Sequence, residues 1–293
     1  MKPGRTEAAG QSAPHPTIVL VGAGNLASTL GKALRAADYE IPEIVVRDRA
    51  ASIAHARTLA RRLGAKLATL GSEVSADVVW LCVRDDSIGD VAEALAAGKL
   101  RAKIAFHSSG ALGSEALAPL KRNGLRVASV HPLMTFVPNS SPSLVGVWFG
   151  IEGERAAVSL ARRIVQDIGG HFLPIGAQSK ALYHAWGSFA SPMLIVLLAI
   201  AEKISRQAGI PAQAAHQAIL PLIRQTIANY AAHGASGAFS GPLRRGDAKT
   251  IERHLKALQS VPDAREIYLA LARCALDVLP VQNRQKLNSL LED

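Results

Sequence analysis

The sequence has 293 residues and a formal net charge of +10, from 33 Lys and Arg residues against 23 Asp and Glu residues. This length suits two domains, each large enough to bury a core of its own. The basic residues occur as scattered pairs without interleaved aromatic residues, which favours a solvated surface, then attraction of a small anionic ligand, over nucleic-acid binding. With only two cysteines, the composition excludes a disulfide-rich scaffold and a cysteine-based metal centre.

The N-terminal segment, residues 1–16, is polar and lacks the apolar centre of a signal peptide. We predict that it is a disordered tail on a cytoplasmic protein. A later apolar segment, residues 193–201, is about half as long as a bilayer-crossing helix. It therefore predicts a buried helix rather than a membrane anchor.

A glycine turn follows the first apolar run, residues 17–21. Gly22, Gly24 and Ala27 match the spacing G-x-G-x-x-A, which lets a strand turn tightly into a helix and lets backbone approach a pyrophosphate. The helix N-terminus would add N–H groups and a positive dipole. The alternative is an ordinary strand-turn-helix connection. We favour a dinucleotide site whose cofactor contacts are Gly22, Ala23, Gly24, Asn25 and Leu26.

The second strand, residues 43–46, ends at Arg47, Asp48 and Arg49. At this position a carboxylate suits the ribose of NAD, whereas an arginine suits the 2′-phosphate of NADP. Because Arg47 comes first, we predict NADP, with NAD less favoured because of Asp48. The alternative is that both arginines are exposed loop charges.

A strand at residues 77–83 ends on the same expected edge, where ligands bind in open parallel sheets, so Val83 is a further predicted cofactor contact. Asp85 or Asp86 is predicted to cap the next helix, residues 88–96.

Two later strands, residues 103–106 and 126–130, are each followed by a histidine. We predict that His107, Ser108, Ser109 and His131 line a substrate pocket that faces the nicotinamide, although either histidine alone could be structural. Close pairing such as H-x-x-x-H is missing, so no metal site is predicted.

Strands at residues 145–151 and 171–175 flank a helix at 154–168, and everything beyond is helical. This pattern predicts an α/β Rossmann-type doubly wound sheet at residues 17–176, followed by an all-helical C-terminal domain at residues 177–293 for substrate binding or dimerisation.

The first C-terminal helix places Lys180, His184, Gly187 and Ser191 on one face. We predict Lys180 and His184 as a catalytic pair that protonates the substrate as hydride arrives. The alternative is a solvated lysine beside a core histidine. The other, apolar residues are expected to be buried: Leu182, Trp186, Phe189, Leu194 and Leu197.

Near the C-terminus, Arg245 is a possible clamp for a substrate carboxylate, and Asp247 is a natural N-cap for the following helix. Pro192 is predicted to kink the apolar helix.

The glycine turn with Asn25 resembles the start of pyrroline-5-carboxylate reductases and of the 6-phosphogluconate and 3-hydroxyisobutyrate dehydrogenase group. The whole chain more closely resembles a family of bacterial Rossmann-like proteins with a helical C-terminal domain of unknown function. Four stretches carry this resemblance: HSSGAL at 107–112, HPLMTF at 131–136, KALYHA at 180–185 and GPLRRGD at 241–247.

This resemblance implies an NADP-dependent oxidoreductase that forms a homodimer through its helical domain. Lys180 stands where the hydroxyacid dehydrogenases carry a catalytic lysine, but His184 replaces their asparagine.

We therefore expect hydride transfer between the nicotinamide and a small carbonyl, imine or hydroxy substrate, and this expectation includes anionic substrates. The second hypothesis is a sensor or scaffold protein that binds NADP without catalysis. Neither hypothesis includes a nucleic-acid or membrane partner.

Overall fold

The computed structural model describes residues 15–138 and 140–292 of the chain. The predicted tail, residues 1–16, lies outside the described residues except for its last two. The chain divides into two compact units, the first ending at Phe189 and the second beginning at Ala190.

The first unit is organised around strand β1, Ile18–Val21, whose side chains are at most 1% exposed. Ile18 and Leu20 join one core cluster, while Val19 and Val21 join a second. Successive side chains of a strand point to opposite faces, so an all-apolar strand requires helices on both sides of its sheet. The observed two cores confirm the predicted doubly wound sheet.

Within the described residues the main sheet has eight strands. They are β1, β2 (Glu43–Val46), β3 (Lys66–Thr69), β4 (Val78–Leu81), β5 (Ile104–His107), β6 (Arg126–Pro132), β7 (Trp148–Gly153) and β8 (His171–Pro174). The helices of this unit are α1 (Asn25–Ala36), α2 (Ala50–Leu63), α3 (Ile88–Ala97), α4 (Ala118–Arg122), α5 (Arg155–Asp167) and α6 (Lys180–Ala190).

The strand order is β8-β7-β6-β5-β4-β1-β2-β3. The run from β3 to β6 is parallel and reproduces the order 3-2-1-4-5-6 of a dinucleotide-binding sheet. Strand β7 pairs antiparallel with β6, and β8 runs parallel to β7. The carboxyl ends of β1, β2, β4, β5 and β6 therefore share one edge, where ligands bind in such sheets.

The second unit is helical. Its helices are α7 (Pro192–Gln207), α8 (Ala212–Ala238), α9 (Gly241–Arg245), α10 (Ala248–Ala257), α11 (Pro262–Val278) and α12 (Arg284–Glu292). Asp247 accepts a hydrogen bond from the Thr250 amide at 3.1 Å, which confirms it as the N-cap of α10.

The strand pattern stops near the predicted boundary at Gly176, but the compact units divide after Phe189. Helix α6 belongs to the first unit because its first residue, Lys180, is buried there and hydrogen-bonds to Ser109, just beyond β5, and to Ser129 within β6. A domain boundary placed where the strand pattern ends, at Gly176, separates α6 from the sheet. The side-chain hydrogen bonds of Lys180 nevertheless hold α6 to that sheet.

The prediction of burial for the apolar segment was wrong. Helix α7 has no buried residue, and Ile195 is 63% exposed. On α6, Leu182 and Phe189 are 78% and 77% exposed. An apolar sequence indicates that a surface is more stable when it is buried. It does not show whether residues of the same chain bury it.

Among the described residues, one stretch, Ala177–Gln207, has the length and apolar composition of a membrane-crossing helix. Pro192 divides this stretch into α6 and α7, with Ser191 in a non-helical conformation between them. The predicted break at Pro192 is therefore confirmed.

Candidate functional site

A pocket of about 260 Å³ lies at the carboxyl ends of β1, β2 and β4. It is lined by several of the predicted cofactor contacts: Gly22, Ala23, Gly24, Arg47 and Val83. The sheet topology brings together residues that are far apart in sequence, because parallel strands deliver their following residues to one edge.

Gly22 makes the turn after β1 with φ of +108°, a conformation that side-chain-bearing residues rarely adopt. A Cβ at this position would lie 2.4 Å from the carbonyl oxygen of Cys82. Glycine is therefore required both by backbone conformation and by the close approach of the neighbouring strand end.

Gly24 serves a different purpose. No atom lies within 4 Å of the position that a Cβ would occupy, so the backbone is open on that side. Gly24 is also the N-cap of α1, and no side chain caps this helix. The free N–H groups of the first turn are thus left for an anion such as a pyrophosphate, which fits the cofactor predicted here.

The side chains of Asn25 and Leu26, the two remaining predicted contacts of this turn, point away from the pocket. The amide of Asn25 donates a hydrogen bond to the carbonyl oxygen of Phe136 at 3.3 Å, and Leu26 packs against the core. Only their backbone N–H groups, at the start of α1, are placed for a phosphate.

Arg47 faces the glycine turn from the end of β2. Its guanidinium donates a hydrogen bond to the Ser87 hydroxyl at 3.0 Å, while the side chain remains exposed. The Ser87 hydroxyl in turn donates to Asp86, so within the described residues the guanidinium hydrogen-bonds to a neutral group and not to a carboxylate. Ser52, His55 and Arg84 line the same pocket and were missed. Ser52 and His55 were not recognised because α2 offers no motif, and Arg84 was not recognised because it follows a different strand, β4.

A second group of polar side chains lies farther along the same sheet edge, around Lys180. The ammonium donates hydrogen bonds to the Ser109 carbonyl oxygen at 2.9 Å and to the Ser129 hydroxyl at 2.8 Å. Lys180 is only 2% exposed. It therefore ties α6 to β5 and β6, rather than presenting its ammonium to an open cleft.

Burial lowers the pKa of Lys180 from 10.5 to about 8, because the charged form loses its hydration. Three carboxylates act in the opposite direction and favour the ammonium: Glu152, Asp85 and Glu115. The lysine thus stays largely charged at neutral pH, inside the protein.

His107 lies at the end of β5, as predicted, but it is completely buried. Its Nδ1 accepts from the Ser109 amide at 3.1 Å, and its Nε2 lies 2.9 Å from the Gly113 carbonyl oxygen. Burial lowers the pKa of His107 to about 4, so the ring is neutral. Since both nitrogens are occupied, His107 holds the loop at 108–113 and does not face a substrate.

The two serines after His107 also have internal partners. The Ser108 hydroxyl accepts a hydrogen bond from the Trp80 indole at 2.8 Å, and the Ser109 hydroxyl donates to Asp85 at 2.8 Å. Asp85 therefore does not cap α3, contrary to the prediction. The N-cap of α3 is Ser87, without a capping side-chain hydrogen bond, and Asp86 pairs with Arg84.

His131 is half-buried at the end of β6, and its Nδ1 lies 2.9 Å from the Tyr183 hydroxyl. The two rings meet edge to face, with centroids 5.6 Å apart. Burial, with Lys180 and two neighbouring histidines, lowers the pKa of His131 to about 3. Tyr183 was missed, although its spacing of three residues from Lys180 places it on the same helix face.

His184 is exposed and packs edge to face against His131, with ring centroids 5.9 Å apart. Lys180 and His184 therefore do not form one accessible pair: the lysine is enclosed, and the histidine lies at the surface.

The other predicted substrate contact, Arg245, is an exposed residue of α9 in the second unit. Within the described residues, no group of three or more His, Cys, Asp or Glu side chains is arranged to hold a metal ion.

Three solved structures share this fold over most of their length. Protein TM1727 from Thermotoga maritima is 26% identical, with a TM-score of 0.72, over 89% of this chain and 98% of that chain. A candidate NADP oxidoreductase from Bacteroides fragilis is 21% identical, with a TM-score of 0.72, over 89% and 97%. A pyrroline-5-carboxylate reductase from Coxiella burnetii is 18% identical, with a TM-score of 0.55, over 89% and 96%. No curated protein sequence matches the chain.

Two family models match adjoining parts of the sequence. Residues 3–132 match a Rossmann-like domain, and residues 147–275 match the domain of unknown function DUF2520. These matches confirm the resemblance and the fold class predicted from the sequence. The sequence is thus similar to a Rossmann-like domain in its first half and to a DUF2520 domain in its second half.

Proposed function

We propose that the chain is an NADP-dependent oxidoreductase that transfers hydride between the nicotinamide and a small carbonyl, imine or hydroxy substrate. One observation carries the proposal: a pocket at the carboxyl edge of the sheet joins an uncapped helix N-terminus at Gly24 to the exposed guanidinium of Arg47. These are the two phosphate-binding elements that an NADP molecule needs, one for the pyrophosphate at the 5′ position and one for the phosphate at the 2′ position of its adenosine ribose.

The comparisons support a reductase over a general nucleotide-binding protein. The Bacteroides fragilis protein is named as a candidate NADP oxidoreductase, and the Coxiella burnetii protein reduces a cyclic imine according to its name. A reductase would gain its hydride from the bound cofactor. The chain itself would bind the phosphates, orient the substrate near β5 and β6, and supply a proton.

The test is a titration of the full chain with NADPH and with NADH, followed by nicotinamide fluorescence. Loss of a charge-assisted hydrogen bond costs about 1.5–3 kcal/mol, so Arg47→Ala is expected to weaken NADPH binding by about 10- to 100-fold. Binding of NADH should change little, since it lacks the 2′-phosphate. Arg49→Ala is the matched control, because Arg49 is exposed nearby and does not line the pocket.

Binding of neither nucleotide to the wild-type chain would refute the proposal. Equal weakening of both nucleotides by Arg47→Ala would refute the preference for NADP. After NADPH binding is established, oxidation of NADPH by 1-pyrroline and by small ketones would test for turnover.

A second candidate function is an NADP-binding sensor or scaffold without catalysis. The enclosed position of Lys180 favours it, because the residue expected to donate the proton is hydrogen-bonded inside the protein. Tight NADPH binding without turnover of any imine, ketone or hydroxy acid would support this function.

We propose further that two copies associate through the helical domain. The exposed apolar side chains of α7 support this arrangement, since such a surface is unfavourable in water and association would cover it. A cytoplasmic location without nucleic-acid or membrane partners completes the proposal.

A further inference from the structure

The pairing of Tyr183 with His131 has no role in phosphate binding and is not explained by the need to fill a core. Tyr183 is 8% exposed, and its hydroxyl lies 2.9 Å from Nδ1 of His131. Room for the phenol comes from Gly150 on β7, where a Cβ would lie 2.6 Å from the phenol oxygen. The helix α6 and the strands β6 and β7 thus converge on one tyrosine-histidine hydrogen bond.

The surroundings of this bond determine where the protons lie. Burial raises the pKa of Tyr183 to about 12, so the phenol is protonated. The Gly150 backbone lowers this pKa slightly but does not reverse the effect of burial. A phenol is a stronger acid than the N–H group of a neutral imidazole, so in the 2.9 Å hydrogen bond the Tyr183 hydroxyl donates to Nδ1 of His131. A neutral imidazole that accepts at Nδ1 carries its proton on Nε2.

The loop residue Gly110 lies close to the edge of the His131 ring that carries Nε2. A Cβ on Gly110 would lie 2.8 Å from Nε2 of His131 and 2.5 Å from Cδ2 of His184, so a side chain at residue 110 would cover this edge. Among the described residues no group hydrogen-bonds to Nε2, and the atom is not among the enclosed polar atoms that lack a partner. The ammonium of Lys180, in contrast, is directed to the Ser109 carbonyl oxygen and the Ser129 hydroxyl.

We infer that Tyr183 holds His131 in the tautomer with its proton on Nε2, and that this N–H group, not Lys180, donates the proton to the substrate. This inference rests on the proposed oxidoreductase function. His131 is then the catalytic residue, and Tyr183 is a positioning residue that acts through it. Lys180 fixes the ends of β5 and β6 around them.

The proton transfer balances with water as the final proton donor. A bound reduced nicotinamide would supply hydride with its electron pair to the substrate carbon, and the carbon-oxygen or carbon-nitrogen double bond would become a single bond. The heteroatom takes the proton from Nε2, and Nδ1 takes the proton of the Tyr183 hydroxyl. The resulting phenolate regains a proton from water.

The basicity of the product anion allows a neutral imidazole, rather than imidazolium, to donate the proton. A developing alkoxide is about as basic as hydroxide, so it takes a proton even from a weak acid. A neutral imidazole linked to a buried phenol is a weaker acid than imidazolium but strong enough for such a base. The groups that face His131 are Lys180, Tyr183, His184 and His107, and none is a carboxylate that would favour imidazolium.

The experiment is long-range ¹H–¹⁵N NMR of the full chain with labelled histidine. His131→Asn identifies the His131 signals by their disappearance. In the wild-type chain we expect a pyridine-type shift for Nδ1 and a pyrrole-type shift for Nε2, unchanged from pH 7.5 to pH 5.5. Tyr183→Phe retains the ring but removes the hydroxyl, so both nitrogens should move to intermediate shifts as the tautomers mix.

The chain offers a matched control in the second unit. There Tyr268 lies 3.1 Å from Nδ1 of His254, with ring centroids 5.9 Å apart. Tyr268→Phe should alter the His254 signals and leave those of His131 unchanged.

A proton on Nδ1 of His131 in the wild-type chain would overturn the inference, and that result needs no folded variant. Unaltered shifts in a folded Tyr183→Phe variant would overturn it too. With a substrate found in the NADPH assay, His131→Asn should lower kcat at least tenfold, and unchanged kcat would refute the catalytic role. Absence of NADPH binding would instead overturn the proposed function and leave the tautomer result standing.

Discussion

Replacement of Lys180 by methionine tests whether this lysine is as enclosed as the structure shows. Methionine keeps much of the apolar stem but removes the ammonium and both of its hydrogen bonds, to the Ser109 carbonyl oxygen and the Ser129 hydroxyl. Loss of the charge and loss of the two hydrogen bonds both change the free energy of unfolding. Only the ammonium, because it titrates, makes this free energy depend on pH.

The sign and size of that dependence follow from the two pKa values of Lys180. Burial lowers its pKa in the folded chain from 10.5 to about 8. Between these values the unfolded chain binds one more proton than the folded chain, so stability rises with pH. Over the whole window the gain amounts to about 3 kcal/mol, and below pH 8 the full cost of enclosing the charge remains. The methionine variant lacks this contribution.

The assay is urea unfolding followed by tryptophan fluorescence at pH values from 7 to 10.5. All three tryptophans, Trp80, Trp148 and Trp186, belong to the first unit, so the signal reports the unit that contains Lys180. Other titrating groups are common to both proteins and cancel in the difference. The exposed Lys66, replaced by methionine, is the control for loss of a lysine without enclosure.

We expect the stability of the wild-type chain, relative to Lys180→Met, to increase by about 3 kcal/mol as pH rises through this window. A difference that is independent of pH, as expected for Lys66→Met, would show that the ammonium is solvated. The proposed division of roles between Lys180 and His131 would then lose its basis.

Three further substitutions test other parts of the structure. Gly24→Ala should leave the melting temperature unchanged but weaken NADPH binding at least tenfold, because its Cβ enters open space where the pyrophosphate is expected. Gly22→Ala should instead destabilise the chain by about 1–3 kcal/mol through its strained backbone, and equal melting temperatures for both variants would contradict this contrast. Ile195→Glu should convert a dimer to a monomer in sedimentation experiments, whereas Val278→Glu, at a similarly exposed apolar site on α11, should not. A dimer that survives Ile195→Glu would exclude α7 from the interface.

The strands and the cofactor edge were predictable from sequence because their signals are local. A strand buried on both faces is uniformly apolar, and the polar residues that follow it must lie at its carboxyl end. Gly22 and Arg47 could therefore be assigned to one pocket without knowledge of the contacts. The antiparallel direction of β7 was not predictable, because an apolar strand has the same pattern in either direction.

The roles of the polar residues depend on partners that are distant in sequence. His107 and His131 both come at the ends of buried strands. His107 holds the loop at 108–113 through both ring nitrogens, whereas His131 hydrogen-bonds to the Tyr183 hydroxyl. The sequence drew attention to His184 rather than to Tyr183 for a related reason. Both lie one turn from Lys180, and only packing against β7 decides which one turns inward.

The space that Gly150 leaves for the Tyr183 phenol has a consequence for the evolution of the family. A Cβ at residue 150 would lie 2.6 Å from the phenol oxygen and 2.3 Å from Cδ1 of Ile175, so residue 150 is constrained by both side chains although they lie on different elements. Substitutions at these three sites should therefore be correlated among related sequences. Lineages that have replaced both the tyrosine and the isoleucine by smaller residues become free to accept alanine or serine at residue 150, while lineages that retain the tyrosine should keep the glycine.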